Sequence, residues 1–247
     1  MFPIRDHNPS GRAPYVTYAL IVANIGVFLS YWPLMSDPRA LSAFYVEWSM
    51  IPAKIMYDGS YLTLISSMFL HGGWMHLAGN MLFLWVFGDN LEDEMGHIPF
   101  LAFYLACGVG AGLAQMASQP YSLVPTVGAS GAIAGVMGGY LLLFPKAKVD
   151  ILIIFVFFFR ILPLPAWIML GLWFAFQIFG GLSSPTVGGG VAYWAHAGGF
   201  VIGVLLTLPL LLRRGGRQFW ARTDGRPPHP EARYTTARTR IPTVRRK

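Results

Sequence analysis

The sequence predicts an all-α, polytopic membrane protein: a bundle of six transmembrane helices. Two observations carry this. Of the 247 residues, 55% are hydrophobic and only 12% charged, whereas a soluble domain is about a quarter charged. The few charges are also spaced so that long stretches contain none. A chain with so few charges cannot coat a water-facing surface, which sets aside an ordinary soluble enzyme and a disordered chain. A disulfide scaffold goes with them, because Cys107 is the single cysteine.

A membrane helix needs about 20 apolar residues, and four uncharged stretches reach that length: Arg12 to Asp37, Asp58 to Asp89, Glu94 to Lys146 and Arg160 to Arg213. The first begins a helix near Tyr15, expected to be retained, since no small-residue cleavage site follows a short apolar core. The second supplies one helix. The third and fourth are each long enough for a pair, divided at Gln119, Pro120 and Pro125 and at Gly180 through Gly190. The apolar run Ile151 to Phe159 is too short to span and reads as an interfacial or packed connector before Pro163. Trp74, Trp85, Trp167, Trp173 and Trp194 read as interfacial belt or bundle packing.

The net charge of +7 is concentrated at one end: residues 213–247 carry 11 Lys/Arg against 2 Asp/Glu, and the rest of the chain 7 against 9. Three parts follow, an N-terminal segment 1–14, a six-helix domain 15–212, and a basic, disordered tail 213–247. The tail lacks the aromatic interleaving of a nucleic-acid module, so the expected partner is anionic membrane lipid and no nucleic acid. The N-terminus, the loop with Lys146, Lys148 and Arg160, and the tail hold 16 of the 18 basic residues, which predicts both termini on the cytoplasmic side.

Polar side chains inside membrane helices are costly, and an ionisable one there is a functional hypothesis by default. They cluster in three places: His71 to Asn80 in the second span, Gly128 to Gly131 opening the fourth, and Ala195 to Gly199 opening the sixth. These three spans run in the same direction, so His76, Asn80, Ser130 and His196 fall at similar depth near the extracytoplasmic face. His76 and Asn80, four apart, share a helix face, while His71 is expected to point elsewhere. A serine hydroxyl becomes a nucleophile when a base takes its proton, and histidine is the usual base, which fits Ser130 and His196. The Ser130 backbone N–H, His76 and Asn80 would then be the donors that stabilise an oxyanion. No Asp or Glu lies among these groups, so the expectation is a dyad, with the orientation of His196 left to packing or water.

The combination resembles the rhomboid intramembrane serine proteases. Their His, four residues, His, three residues, Asn pattern stands at His71, His76 and Asn80; Gly-x-Ser-Gly at Gly128 to Gly131; and Ala-His-x-x-Gly-x-x-x-Gly at Ala195, His196, Gly199 and Gly203. The resemblance implies Ser130 as nucleophile, His196 as general base, His76 and Asn80 as oxyanion donors, and Glu92 in a structural role. It further implies single-span transmembrane proteins as substrates, no cofactor, and residence in a bacterial inner membrane. The chain departs from the pattern twice: it has no Trp-Arg pair between Asp37 and Leu70, and Ala134 stands where an aromatic often follows the nucleophile by four.

Each of these residues alone has an ordinary reading. Serine among glycines lets helices approach, Gly131, Gly135, Gly139, Gly199 and Gly203 serve packing, and His71 is expected to be structural. No metal site is expected, since His-Glu-x-x-His is absent and Cys107 has no partner ligands. The alternative class is a factor that captures membrane clients without cutting them. A transporter ranks behind it, for want of an internal repeat.

Overall fold

The computed structural model describes residues 2–155, 158–183 and 190–232. The chain enters through a strand, β1 (Phe2–Asp6), and the first long helix, α1 (Tyr15–Tyr31), which a 3-10 turn extends to Ser36. Three short helices follow: α2 (Pro38–Trp48), α3 (Pro52–Asp58) and α4 (Thr63–Ser66). Asp37 starts α2 by accepting from the N–H groups of Arg39 and Ala40, and Gly59 in the left-handed conformation ends α3. The remaining elements are α5 (Trp74–Met95), α6 (His97–Ser118), α7 (Ser130–Leu143), β2 (Lys148–Phe155), β3 (Phe158–Pro165), α8 (Ala166–Ser183), α9 (Tyr193–Arg213) and α10 (Arg217–Thr223).

The six long helices α1 and α5 to α9 make the expected membrane bundle. Four of them, α1 with its 3-10 extension, α6, α8 and α9, are long and apolar enough to cross a membrane by length and composition. The other two depart for physical reasons. α5 carries Asp89, Glu92, Asp93 and Glu94 in its last turns. α7 has 14 residues, 11 of them buried, so it is about 21 Å long and is enclosed by protein on nearly every side. α1 shows the opposite pattern. Thr17, Leu20, Asn24, Phe28 and Tyr31 form one buried stripe, while Tyr18, Val22 and Leu29 point outward. Apolar residues facing out as well as in mark a helix bathed in lipid. The protein is an integral membrane protein.

Glu92 holds the start of α1. Its buried carboxylate accepts from Val16 N, Thr17 N and Thr17 Oγ1, each at 2.8 Å, and pairs with His97 Nδ1 at 2.5 Å. An anion is thus placed where a helix leaves its first N–H groups unpaired.

At the same end of the bundle lies a three-stranded antiparallel sheet in the order β1-β2-β3, with Arg5 opposite Asp150 and Asp150 opposite Pro163. The run Ile151 to Phe159, expected as a connector, instead supplies the last five residues of β2 and the first two of β3. Its continuous apolar character hides the strand alternation, and its β-branched residues suit a strand. Asp150 is buried between Arg5 Nε and His7 Nε2, both at 2.7 Å.

The tail is also more ordered than expected as far as Ala232. α10 buries Phe219, Trp220 Nε1 donates to Leu142 O at 3.1 Å, and Ala232 N donates to His7 O at 2.8 Å. Two aromatics within the basic string give it an apolar face to dock, which a charge count does not register. Residues 233–247 of that tail lie outside the described residues.

Asp6 accepts from Tyr140 OH and Asn90 Nδ2, each at 3.1 Å. Burial, with the Asp89 carboxylate close by, pushes its pKa up from the usual carboxylate range to about 7. The folded chain then holds this proton up to about pH 7, while the unfolded chain releases it near pH 4. The contribution of Asp6 to stability should therefore fall as pH rises through that window. Thermal unfolding in detergent between pH 4 and 8 should show the parent losing stability relative to Asp6→Asn as pH rises, with Asp6→Asn the more stable form above pH 7.

Candidate active site

The site is built where α7 meets α9. Glycines on both helices bring backbone against backbone: a Cβ on Gly199 would run into the Gly131 carbonyl oxygen, and one on Gly203 into that of Gly135. No larger residue permits this approach. It fixes the first turn of α7 against the first turn of α9, and those turns carry Ser130 and His196.

Ser130 is the first residue of α7, and His196 the fourth of α9. His196 Nε2 lies 2.8 Å from Ser130 Oγ. The serine N–H sits in a helical first turn, where it has no carbonyl partner within the helix. Before it the chain passes through Gly128 at φ 126°, a conformation open to glycine. A Cβ there would lie 2.8 Å from His76 Nε2 and 3.6 Å from Asn80 Nδ2. The four residues singled out in the sequence are thus together, and all line one cavity of about 910 Å³.

The hydrogen bonds define what each group can offer. Gly72 N donates to His76 Nδ1 at 3.2 Å, so the proton of a neutral His76 ring is on Nε2, the nitrogen facing Gly128. Asn80 is buried, and its Nδ2 has no protein acceptor among the described residues. Two side-chain donors beside Gly128 and a helix N-terminal N–H therefore line the cavity that holds the Ser130 hydroxyl. Such an arrangement can receive a developing oxyanion while the imidazole takes the serine proton.

His71 differs from expectation. Its ring meets His76 edge-on, with centroids 5.1 Å apart, where helical spacing had placed it elsewhere. The chain is not yet helical there, since α5 starts at Trp74. Tyr31 pins the His71 backbone, donating to its carbonyl at 2.8 Å and accepting from its N–H at 2.6 Å.

Two contributors, Gln115 and Gln177, were not singled out in the sequence, and a third, Trp173, was read there only as belt or bundle packing. Gln115 Oε1 accepts from Ala195 N at 3.2 Å, tying α6 to the start of α9. Gln177 Oε1 lies 2.9 Å from His196 Nδ1. Trp173, also from α8, meets the imidazole at a tilt, with centroids 5.8 Å apart and planes 32° apart. The available signal was a single amide in each of two apolar helices, α6 and α8, and such amides carry the same default suspicion as ionisable groups. The segment from Gly180 to Gly190, expected to divide the last two spans, begins inside α8, and its residues 184–189 lie outside the described residues.

A family model described as the Rhomboid domain matches residues 58–213. The chain belongs to the rhomboid family. Among related rhomboids, "Rhomboid protein 1, mitochondrial" of Saccharomyces cerevisiae is 32% identical over 197 residues, 77% of this chain and 51% of its own length. "Rhomboid-like protein 11, chloroplastic" of Arabidopsis thaliana is 28% identical, covering 81% of this chain and 67% of its own. "Rhomboid protease GluP" of Bacillus subtilis is 35% identical over 130 residues, 52% of this chain and 24% of its own. This rhomboid thus spans about half the length of the yeast relative.

If backbone contact between α7 and α9 holds the site, one added methyl should separate them. Gly199→Ala should lower the melting temperature in detergent by several degrees. Gly171→Ala, on a face of α8 where nothing lies within 4 Å of the new Cβ, should leave it within about a degree.

Proposed function

We propose that this rhomboid is an intramembrane serine endopeptidase that cleaves transmembrane proteins by a Ser-His dyad near the extracytoplasmic face. The observation that carries the proposal is the 2.8 Å contact between His196 Nε2 and Ser130 Oγ, at the wall of a cavity that also presents His76 and Asn80. Ser130 Oγ attacks the scissile carbonyl as His196 takes its proton. The negative oxygen of the tetrahedral intermediate is received by Ser130 N–H, His76 Nε2 and Asn80 Nδ2. His196 then gives its proton to the leaving amine, and water activated by the same ring releases the acyl group.

The reading places both termini in the cytoplasm of a bacterial cell, with residues 15–212 as the protease domain. The sheet, α10 and most of the basic residues gather at one end of the bundle, and the dyad stands at the other, as the distribution of Lys and Arg requires. The expected substrates are single-span proteins whose helices contain small or polar residues and unwind easily, because a helical backbone hides the bond to be cut.

Purified protein should cut a single-span reporter, and Ser130→Ala and His196→Ala should each lower the rate at least a thousandfold while melting like the parent. His76→Ala and Asn80→Ala should each cost about ten- to a thousandfold in kcat. Cleavage that survives Ser130→Ala would refute the dyad. A folded parent that binds the reporter without cutting it would favour client capture.

A further inference from the structure

We propose that Gln177 is the positioning residue of the dyad, holding His196 in the tautomer that leaves Nε2 free to accept the Ser130 proton. The inference rests on the dyad reading of Ser130 and His196, and it supplies the partner for Nδ1 that no carboxylate provides.

A neutral imidazole carries one proton, and only the form protonated on Nδ1 can act as base through Nε2. The group facing Nδ1 decides between the two. Gln177 Oε1 stands 2.9 Å from it, and a carbonyl oxygen only accepts, so Nδ1 must donate. Because an amide can turn either way, its other end is decisive. Gln177 Nε2 donates to Trp173 O at 3.2 Å. Turned over, the amide would set its oxygen against the Trp173 carbonyl oxygen, acceptor against acceptor, and aim its NH2 at Nδ1, selecting the tautomer that cannot take a proton from Ser130. One backbone carbonyl thus fixes the amide, the amide fixes the imidazole, and the imidazole faces the serine.

The placement of Gln177 agrees. α8 is the most lipid-exposed of the long helices, with only Ala166, Leu170 and Gln177 buried among its 18 residues. Trp167, Leu172, Phe176 and Phe179 are exposed. A polar side chain on such a helix is costly unless it is bonded, and this one is bonded at both ends. One turn earlier on the same helix, Trp173 meets the imidazole ring at a tilt. Rotation of His196 is therefore opposed by a neighbouring ring and by the amide, both from α8.

The test compares Gln177→Leu with Gln177→Glu. Leucine keeps the bulk and removes the acceptor. Glutamate keeps an acceptor in either protonation state, since a neutral carboxyl can still donate to Trp173 O while its carbonyl accepts from Nδ1. Gln177→Leu should lower kcat at least tenfold with KM unchanged, and Gln177→Glu should recover most of that loss. A residue needed only for packing would not rank the pair by hydrogen-bonding ability. Independently of activity, 15N spectra of histidine-labelled protein should show His196 protonated on Nδ1 in the parent and a mixture of tautomers in Gln177→Leu. If the parent cuts and Gln177→Leu matches it in both kcat and spectrum, the role of Gln177 is overturned and the dyad stands. If the parent cuts nothing, the dyad reading fails, while the spectrum still shows whether Gln177 sets the tautomer. A parent protonated on Nε2 overturns the proposal outright.

Discussion

The close approach of α7 and α9 is the constraint on which the rest of the structure depends. Helices in lipid gain little from hiding apolar surface, so they associate through close packing and polar contacts. Here Gly199 and Gly203 let one backbone rest on the carbonyls of Gly131 and Gly135. That contact sets the separation of Ser130 and His196, which sit one turn or less inside their helices. It also explains why α7 can be so short. A helix enclosed by others has no need to match the thickness of a bilayer, and its buried N-terminus is free to serve the site.

The two ends of the bundle solve opposite problems with the same kinds of groups. At the basic end, polar side chains are there to be paired. Glu92 caps α1, Asp150 joins β1 to β2 through Arg5 and His7, and the segment after α9 folds back onto both. At the other end Asn80 Nδ2 is buried with no protein acceptor among the described residues. Buried polar groups are normally paired because leaving them unpaired is costly. Asn80 Nδ2 departs from that rule beside Gly128, in the cavity where the proposed reaction would form a transient negative oxygen.

Much of this was legible from the sequence, and the parts that were not share a cause. The helices follow from the spacing of charges, and the meeting of His76, Asn80, Ser130 and His196 follows from three spans running the same way with their polar residues near their starts. The sheet was hidden because β1 pairs with a strand about 145 residues later, as with Phe2 opposite Leu152, and nothing local announces such a partner. His71 was misplaced because helical spacing was applied to residues that precede the helix. Gln177 was passed over because an amide in an apolar helix is noticed less than a charge. Its meaning depends on which neighbour each end of the amide meets, and only coordinates give that.

The most direct measurement is the structure of the protein after reaction with a fluorophosphonate. The expected result is a single adduct with phosphorus bonded to Ser130 Oγ and its phosphoryl oxygen within hydrogen-bond distance of Ser130 N–H, His76 Nε2 and Asn80 Nδ2. An adduct on another residue, or a folded protein that forms none, would contradict the reading of this site as a serine protease centre.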